Sequence, residues 1–83
     1  NMDCCKIAFK QNGMALEFAS DYIKSNVSCC TVAFKQNGMA LEFASNYIKN
    51  NKQCCKTAYY NDNDALKFFS IKVLQSFKSS FKK

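Results

Sequence analysis

The sequence repeats itself every 25 residues, and this period constrains the fold more than any other feature of the chain. Residues 4–28 and 29–53 differ at only six positions, and a more diverged copy covers residues 54–78. Each copy opens with a Cys-Cys pair. Periods of roughly 20 to 50 residues are typical of stacked units that cover one another's apolar surfaces. We therefore expect a single repeat domain over residues 1–83.

Two short helices are predicted for each copy. The chain has no proline, and Asn26 and Asn51 stand where asparagine would cap the start of a helix. The first helices are therefore expected over 2–12, 27–37 and 52–62. Gly13 and Gly38 are expected to end the first two of these in a left-handed conformation, which Asn63 would adopt in the third copy.

The second helix of each copy is expected to start at 14–15, 39–40 and 64–65. In the first copy its apolar residues form two adjacent stripes, which predicts a helix flanked by neighbours on two sides. The stripes are Leu16, Ala19 and Ile23, and Ala15, Phe18 and Tyr22. The third copy predicts one longer amphipathic helix over 64–80 that caps the stack. The N-terminal end has no such cap, which indicates a fragment of a longer array or self-association through that end.

Together these patterns predict an all-α fold. The expected architecture is a short α-solenoid-like stack of three 25-residue two-helix repeats, with about six helices in total.

The repeat motif resembles that of a known family. The family pattern has a hydrophobic pair, Ala with a hydrophobic residue, Lys-Gln-Asn/Asp-Gly, Ala-Leu and Ala-Ser. The second copy fills these positions with Cys29-Cys30, Ala33-Phe34, residues 35–38, Ala40-Leu41 and Ala44-Ser45. The chain thus resembles the helical repeats known as domain of unknown function 4116, although cysteines replace the usual aliphatic pair and the third copy lacks Lys-Gln-Asn-Gly. The resemblance implies a helical-repeat array and no assigned activity.

Six cysteines leave three interpretations open. Equivalent cysteines of neighbouring repeats would lie about 10 Å apart, beyond the roughly 7 Å between Cα atoms that a disulfide allows. A bridge such as Cys5 to Cys29 would need tilted helices. A metal site would need the pairs to converge, and a Cys-Cys pair lacks the two-residue spacer of zinc sites. The favoured interpretation is reduced core cysteines, namely Cys5, Cys30 and Cys55 with Cys4, Cys29 and Cys54 beside them.

The sequence offers no catalytic arrangement. The absence of histidine removes Ser-His and Cys-His nucleophile pairs. Glu17 and Glu42 occupy the same repeat position, so their spacing reflects the period and not an acid–base pair. We therefore expect neither an enzyme nor a bound cofactor or metal.

Two surfaces are candidates for binding. A protein-interaction scaffold would use a polar ridge at the ends of the first helices, made of Lys10, Gln11, Asn12, Lys35, Gln36 and Asn37. Alternatively, the C-terminal Lys/Phe segment would bind nucleic acid or an anionic membrane weakly, through Lys67, Lys72, Lys78, Lys82 and Lys83. The net charge of +6 comes from lysine without arginine, which favours non-specific attraction of polyanions.

The location of the protein is expected to be intracellular. No apolar run approaches the roughly 18–20 residues of a membrane span, and the chain does not open with the basic and apolar segments of a secretory signal. The expected compartment is the cytoplasm, or the host cytoplasm if the protein is a viral or bacterial effector.

Overall fold

The fold is helical throughout the part of the chain that the structure describes. The computed structural model describes the backbone of residues 2–81 and the side chains of residues 3–78. In chain order the elements are the α-helices α1 to α6 and the 3₁₀ helices η1 to η3: α1 (Met2–Gln11), η1 (Gly13–Phe18), α2 (Asp21–Lys24), α3 (Val27–Gln36), η2 (Gly38–Phe43), α4 (Asn46–Lys49), α5 (Lys52–Asn61), η3 (Asn63–Phe68) and α6 (Ile71–Phe81). The all-α prediction is confirmed. The prediction of about six helices is wrong, because nine elements occur within residues 2–81.

The additional elements arise because the second helix of each copy is broken at a serine. Ala19 leaves helical geometry with φ −79° and ψ 160°, and the Ser20 side chain then accepts a hydrogen bond from the Ile23 N–H at 3.3 Å. Ser45 and Ser70 make the same bond in the next two copies. Serine is a favoured N-cap, so it ends the 3₁₀ helix and starts a separate α-helix.

The third copy follows the same rule, so the predicted single helix over 64–80 is wrong. Residues 63–68 form η3, and α6 begins only after Ser70. In the first two copies the α-helix after the serine (α2 and α4) is four residues long, because Asn26 and Asn51 lie outside it and cap the next helix. Ser76 stands at the equivalent position of the third copy, where α6 continues without a break to Phe81.

The two glycines serve a different purpose from the one predicted. Neither has a positive φ, so no left-handed helix stop is present at these positions. Instead, a Cβ at Gly13 would overlap the carbonyl oxygen of Ala33, and a Cβ at Gly38 would overlap that of Ala58. Glycine is therefore required because neighbouring copies approach too closely for any side chain.

Elements at the same position in successive copies pack side by side. Helix α3 contacts both α1 and α5, and η2 contacts both η1 and η3. Backbone bonds join the copies as well, since the Ser45 N–H donates to the Lys24 carbonyl at 3.1 Å and the Ser70 N–H donates to the Lys49 carbonyl at 3.3 Å. The result is an elongated molecule of 42 × 20 × 16 Å.

The core is concentrated in the second copy, which has a neighbour on each side. Leu41, Ile48 and Phe34 are fully buried there. In the first copy, Leu16 and Ile23 are buried as predicted. The remaining stripe residues are less covered: Ala15 and Ala19 are half-buried, Phe18 is 85% exposed and Tyr22 is 69% exposed.

Two causes explain the exposed aromatics of the first copy. The break after η1 separates Phe18 from Tyr22, so they do not share one helix face. Phe43, at the position of Phe18 in the second copy, is half-buried because a copy lies in front of it, whereas Tyr47 is as exposed as Tyr22. Ile7 and Ala8 of α1 are exposed in the first copy as well.

The cysteines follow the same gradient along the chain. Cys29, Cys30, Cys54 and Cys55 are buried, Cys5 is half-buried and Cys4 is exposed. The Cys30 thiol donates to the Lys24 carbonyl at 3.4 Å, and the Cys55 thiol donates to the Lys49 carbonyl at 3.2 Å. The prediction of core positions is confirmed for Cys30 and Cys55, and Cys5 occupies the same position without the same cover.

Candidate functional site

The polar ridge predicted from the sequence contains a groove between the last turns of α1 and α3. This groove has a volume of about 350 Å³ and is lined by Lys10, Val32, Lys35 and Gln36. Both lysines are exposed, and Val32 is half-buried. The arrangement places two positive charges around an apolar floor.

The Gln36 residue is exposed, but its side chain also joins two copies through a hydrogen bond. Its Oε1 accepts a hydrogen bond from the backbone N–H of Gly13. The equivalent side chain in the third copy, Asn61, accepts from the Gly38 N–H at 2.7 Å and donates its own amide to the Lys35 carbonyl at 2.9 Å. The side chain at this repeat position therefore links neighbouring copies, which gives a structural reason for a Gln or Asn at that position.

Asn12 and Asn37 have structural tasks too. Each adopts an extended backbone and caps the 3₁₀ helix that follows, accepting from Met14 N–H at 3.1 Å and from Met39 N–H at 3.0 Å. Asp62 does the same in the third copy. Of the six ridge residues, this leaves Lys10, Gln11 and Lys35 exposed without such a role among the bonds described.

The basic surface of the third copy is only partly available. Lys67, Lys72 and Lys78 are exposed, and the Lys67 ammonium lies 5.5 Å from the centre of the Phe68 ring. Phe69 and Phe77 are buried against each other, with ring centroids 5.1 Å apart. The predicted residues Lys82 and Lys83 lie outside the described residues.

A groove of about 330 Å³ lies beside these lysines. Lys67 and Lys78 line it together with Asn63, Asp64, Leu66 and Leu74. The carboxylate of Asp64 reduces the positive potential of this groove, unlike the groove beside Lys10 and Lys35, which no acidic residue lines.

The N-terminal face of the first copy is an apolar surface. From the sequence, this end of the stack is expected only to lack a cap. A groove of about 270 Å³ on this face is lined by small and aromatic side chains, namely Cys4, Cys5, Ala8, Phe9, Ala15, Phe18 and Ala19. The repeat itself is the signal that locates this face, because the same residues in the second copy form an interior contact.

Comparison with known families identifies the repeat. The model of the family described as Domain of unknown function (DUF4116) matches residues 1–48 and, in a second overlapping match, residues 30–75. The chain belongs to the DUF4116 family. Searches of curated proteins and of solved structures returned no match.

Burial governs the chemistry of the cysteines in this DUF4116 chain. It raises the pKa of the Cys30 and Cys55 thiols to about 12. Burial also raises the pKa of Cys29 and Cys54, while the Lys6 ammonium partly offsets the effect at Cys29 and a hydrogen bond from Thr31 partly offsets it at Cys54. Because the thiolate is the reactive form, the raised pKa and the burial both lower the reactivity of these four side chains at neutral pH.

Within residues 2–81, no helix is both long enough and apolar enough for a membrane crossing. In the same part of the chain, no three His, Cys, Asp or Glu side chains are gathered in a way that suits a metal ion.

Proposed function

We propose that this chain is a non-catalytic, α-solenoid-like scaffold that binds another protein in the groove between α1 and α3. The observation that carries the proposal is the pairing of Lys10 and Lys35 around the apolar floor of Val32. The absence of histidine from the sequence supports a binding role over a catalytic one.

The chemistry of this groove favours an acidic partner segment that also carries an aliphatic side chain. Exposed ion pairs contribute only about 0.2–1 kcal/mol each, so the two lysines would set orientation and association rate more than affinity. Contact with Val32 and with the lysine stems would supply the apolar part of the binding free energy.

A selection experiment tests the proposal. The full chain is immobilised, peptides are selected from a random displayed library, and their Kd values are measured by calorimetry. We expect acidic peptides whose Kd rises about tenfold or more in the variant K10E/K35E, because two attractions become two repulsions.

The matched control is the variant K72E/K78E, which makes the same charge change on exposed lysines of α6. Its Kd for the selected peptides should stay unchanged. The proposal would be wrong if no peptide is selected, or if affinity follows Lys72 and Lys78 and ignores Lys10 and Lys35.

The alternative function is weak binding of an anionic membrane or nucleic acid through α6. Exposed Ile71, Lys72 and Lys78 support it, but Phe69 and Phe77 are buried, so these two aromatic side chains are not available for insertion into an interface. Binding to heparin or to vesicles containing phosphatidylserine that disappears in K72E/K78E would favour this alternative.

A further inference from the structure

The N-terminal face of the first copy includes alanine positions that are fully buried in the other two copies. Ala8 is exposed, whereas Ala33 and Ala58 are 0% exposed. The same contrast applies to Ala15, which is half-buried while Ala40 and Ala65 are fully buried. The first copy thus has the residues of an interior contact on an open surface.

The two interior contacts show what normally covers these positions. The copy in front supplies a glycine without a side chain that lies against an alanine carbonyl, Gly13 on Ala33 and Gly38 on Ala58. The N–H of that glycine donates to Gln36 or Asn61 of the copy behind. Each contact is therefore directional, with a contributing side and a receiving side.

The first copy carries the receiving side in full. Gln11 occupies the position of Gln36 and is exposed, and Ala8 occupies the position of Ala33. Ser20 occupies the position of Ser45, whose N–H binds the carbonyl of Lys24 in the copy in front. A further repeat placed against this face would meet groups equivalent to those that the second copy presents to the first. Within residues 2–81, no copy covers this face.

The third copy does not carry the contributing side. Asn63 replaces the glycine, and its Cβ would overlap an alanine carbonyl in the way that a Cβ at Gly38 would. Charged Asp64 replaces the methionine of the other copies, and α6 runs on where Asn26 and Asn51 would lead into a further copy. A second copy of this chain therefore cannot cover the N-terminal face through its C-terminal end.

We infer that the N-terminal face is a docking surface for one further repeat of this type, presented in register and ending its first helix in glycine. The occupant follows from continuity with the two interior contacts, which use equivalent repeat positions 25 residues apart. This inference concerns a different surface from the groove of Lys10 and Lys35, and neither depends on the other.

An extended chain tests the inference. A copy of residues 4–28 is inserted between Asp3 and Cys4 of the full chain, and cysteines are alkylated under native conditions. In the original chain, Cys4 and Cys5 should react fast and the four buried thiols slowly. If the inserted repeat docks, the number of fast-reacting thiols stays at two and the number of slow-reacting thiols rises from four to six. The midpoint of thermal unfolding should rise as well.

Two control variants separate docking from mere lengthening. In the first, the glycine of the inserted repeat is replaced by alanine, which should leave four fast thiols because the Cβ blocks contact. In the second, the copy is appended after Lys78 in the full chain, behind Asn63 and α6, and its own two cysteines should react fast.

The inference would be overturned by four fast thiols in the extended chain, or by failure of the extended chain to fold where the original folds. Light scattering of the original chain gives an independent measurement. A dimer that protects Cys4 and Cys5 from alkylation would assign the face to self-association and refute the proposed occupant.

Discussion

At the level of single residues, the interfaces between copies depend on the absence of a side chain at two glycine positions. Gly13 and Gly38 have ordinary negative-φ backbone, and the sequence pattern of a glycine after a helix gave the wrong reason for their presence. The pattern of a helix end is the same for a left-handed stop and for a close approach, so the sequence alone could not separate them. The neighbouring carbonyls decide the matter.

Replacement of Gly38 by alanine should destabilise the protein by about 1–3 kcal/mol, because a Cβ would press on the Ala58 carbonyl, which is backbone and cannot rotate away. Urea unfolding measures the effect. Gly38→Asn should be no better than alanine, which distinguishes steric exclusion from a left-handed conformation. Asn63→Ala, at the matched exposed position, should change the free energy of unfolding by less than about 0.5 kcal/mol.

Gln36 offers a second test of the interface. Gln36→Ala removes the acceptor for the Gly13 N–H and should lower the free energy of unfolding by about 0.5–1.5 kcal/mol. Gln11→Ala is the matched control, because its side chain is exposed on the open N-terminal face, and it should have almost no effect. Equal losses in both variants would contradict a structural bond at Gln36.

The buried thiols predict how stability depends on pH. The pKa of Cys30 and Cys55 rises from 9.0 to about 12 on burial. Above pH 9 the unfolded chain releases these protons while the folded chain keeps them, so unfolding becomes easier as pH rises. Their contribution is fully present below pH 9 and is lost between pH 9 and about 12.

Between pH 9 and about 12, the midpoint of thermal unfolding should fall less steeply with pH in the variant C30A/C55A than in the original chain. Lysines titrate in the same range in both proteins, so the difference in slope reports the two thiols. Parallel slopes would show that these thiols are not protected in the folded state.

At the level of helices, capping residues divide each copy into three elements. The asparagine caps could be predicted from the sequence, and Asn26 and Asn51 do accept from Cys29 N–H and Cys54 N–H. The serine caps could not, because Ala19 and Ser20 fall inside a run whose apolar spacing also suits one continuous helix. Local hydrogen bonding by serine competes with the helix there, and the apolar pattern does not report that competition.

Ser45→Ala should destabilise the protein by about 0.5–2 kcal/mol, because the Ile48 N–H loses its acceptor and the Ser25 hydroxyl loses its partner. Ser45→Thr keeps an oxygen in this place and should retain most of the stability. The backbone N–H of residue 45 still donates to the Lys24 carbonyl in Ser45→Ala, and this bond between copies should keep the break, so circular dichroism should show no gain of helix. A gain would mean that serine alone prevents a continuous second helix.

At the level of the whole molecule, the two ends differ. The second copy has neighbours on both sides and supplies most of the fully buried residues, whereas the first copy leaves Ala8 and Phe18 exposed. Mutual cover between copies could be predicted from the period, and so could the surface position of Lys10 and Lys35, the residues proposed to bind a partner. The tasks of Gln36 and Asn37 could not, because they depend on which backbone groups lie next to them in space.

This difference between the ends predicts an order of alkylation in the native protein. Cys4 and Cys5 should be modified first, and Cys29, Cys30, Cys54 and Cys55 should follow only as the chain opens. Peptide mass mapping after short exposure to iodoacetamide measures the order. Rapid modification of Cys30 or Cys55 below the unfolding transition would contradict the packing described.

The asparagine at position 63 has a consequence for how such a chain lengthens during evolution. Unequal recombination within residues 4–53 inserts a unit with both halves of the contact, because each of those copies has its glycine. Duplication of residues 54–78 would instead bring Asn63 and an unbroken α6 into the interior. Insertion of a repeat is thus tolerated before residues 54–78 and disfavoured directly behind them, because Asn63, Asp64 and the unbroken α6 all oppose the contact there.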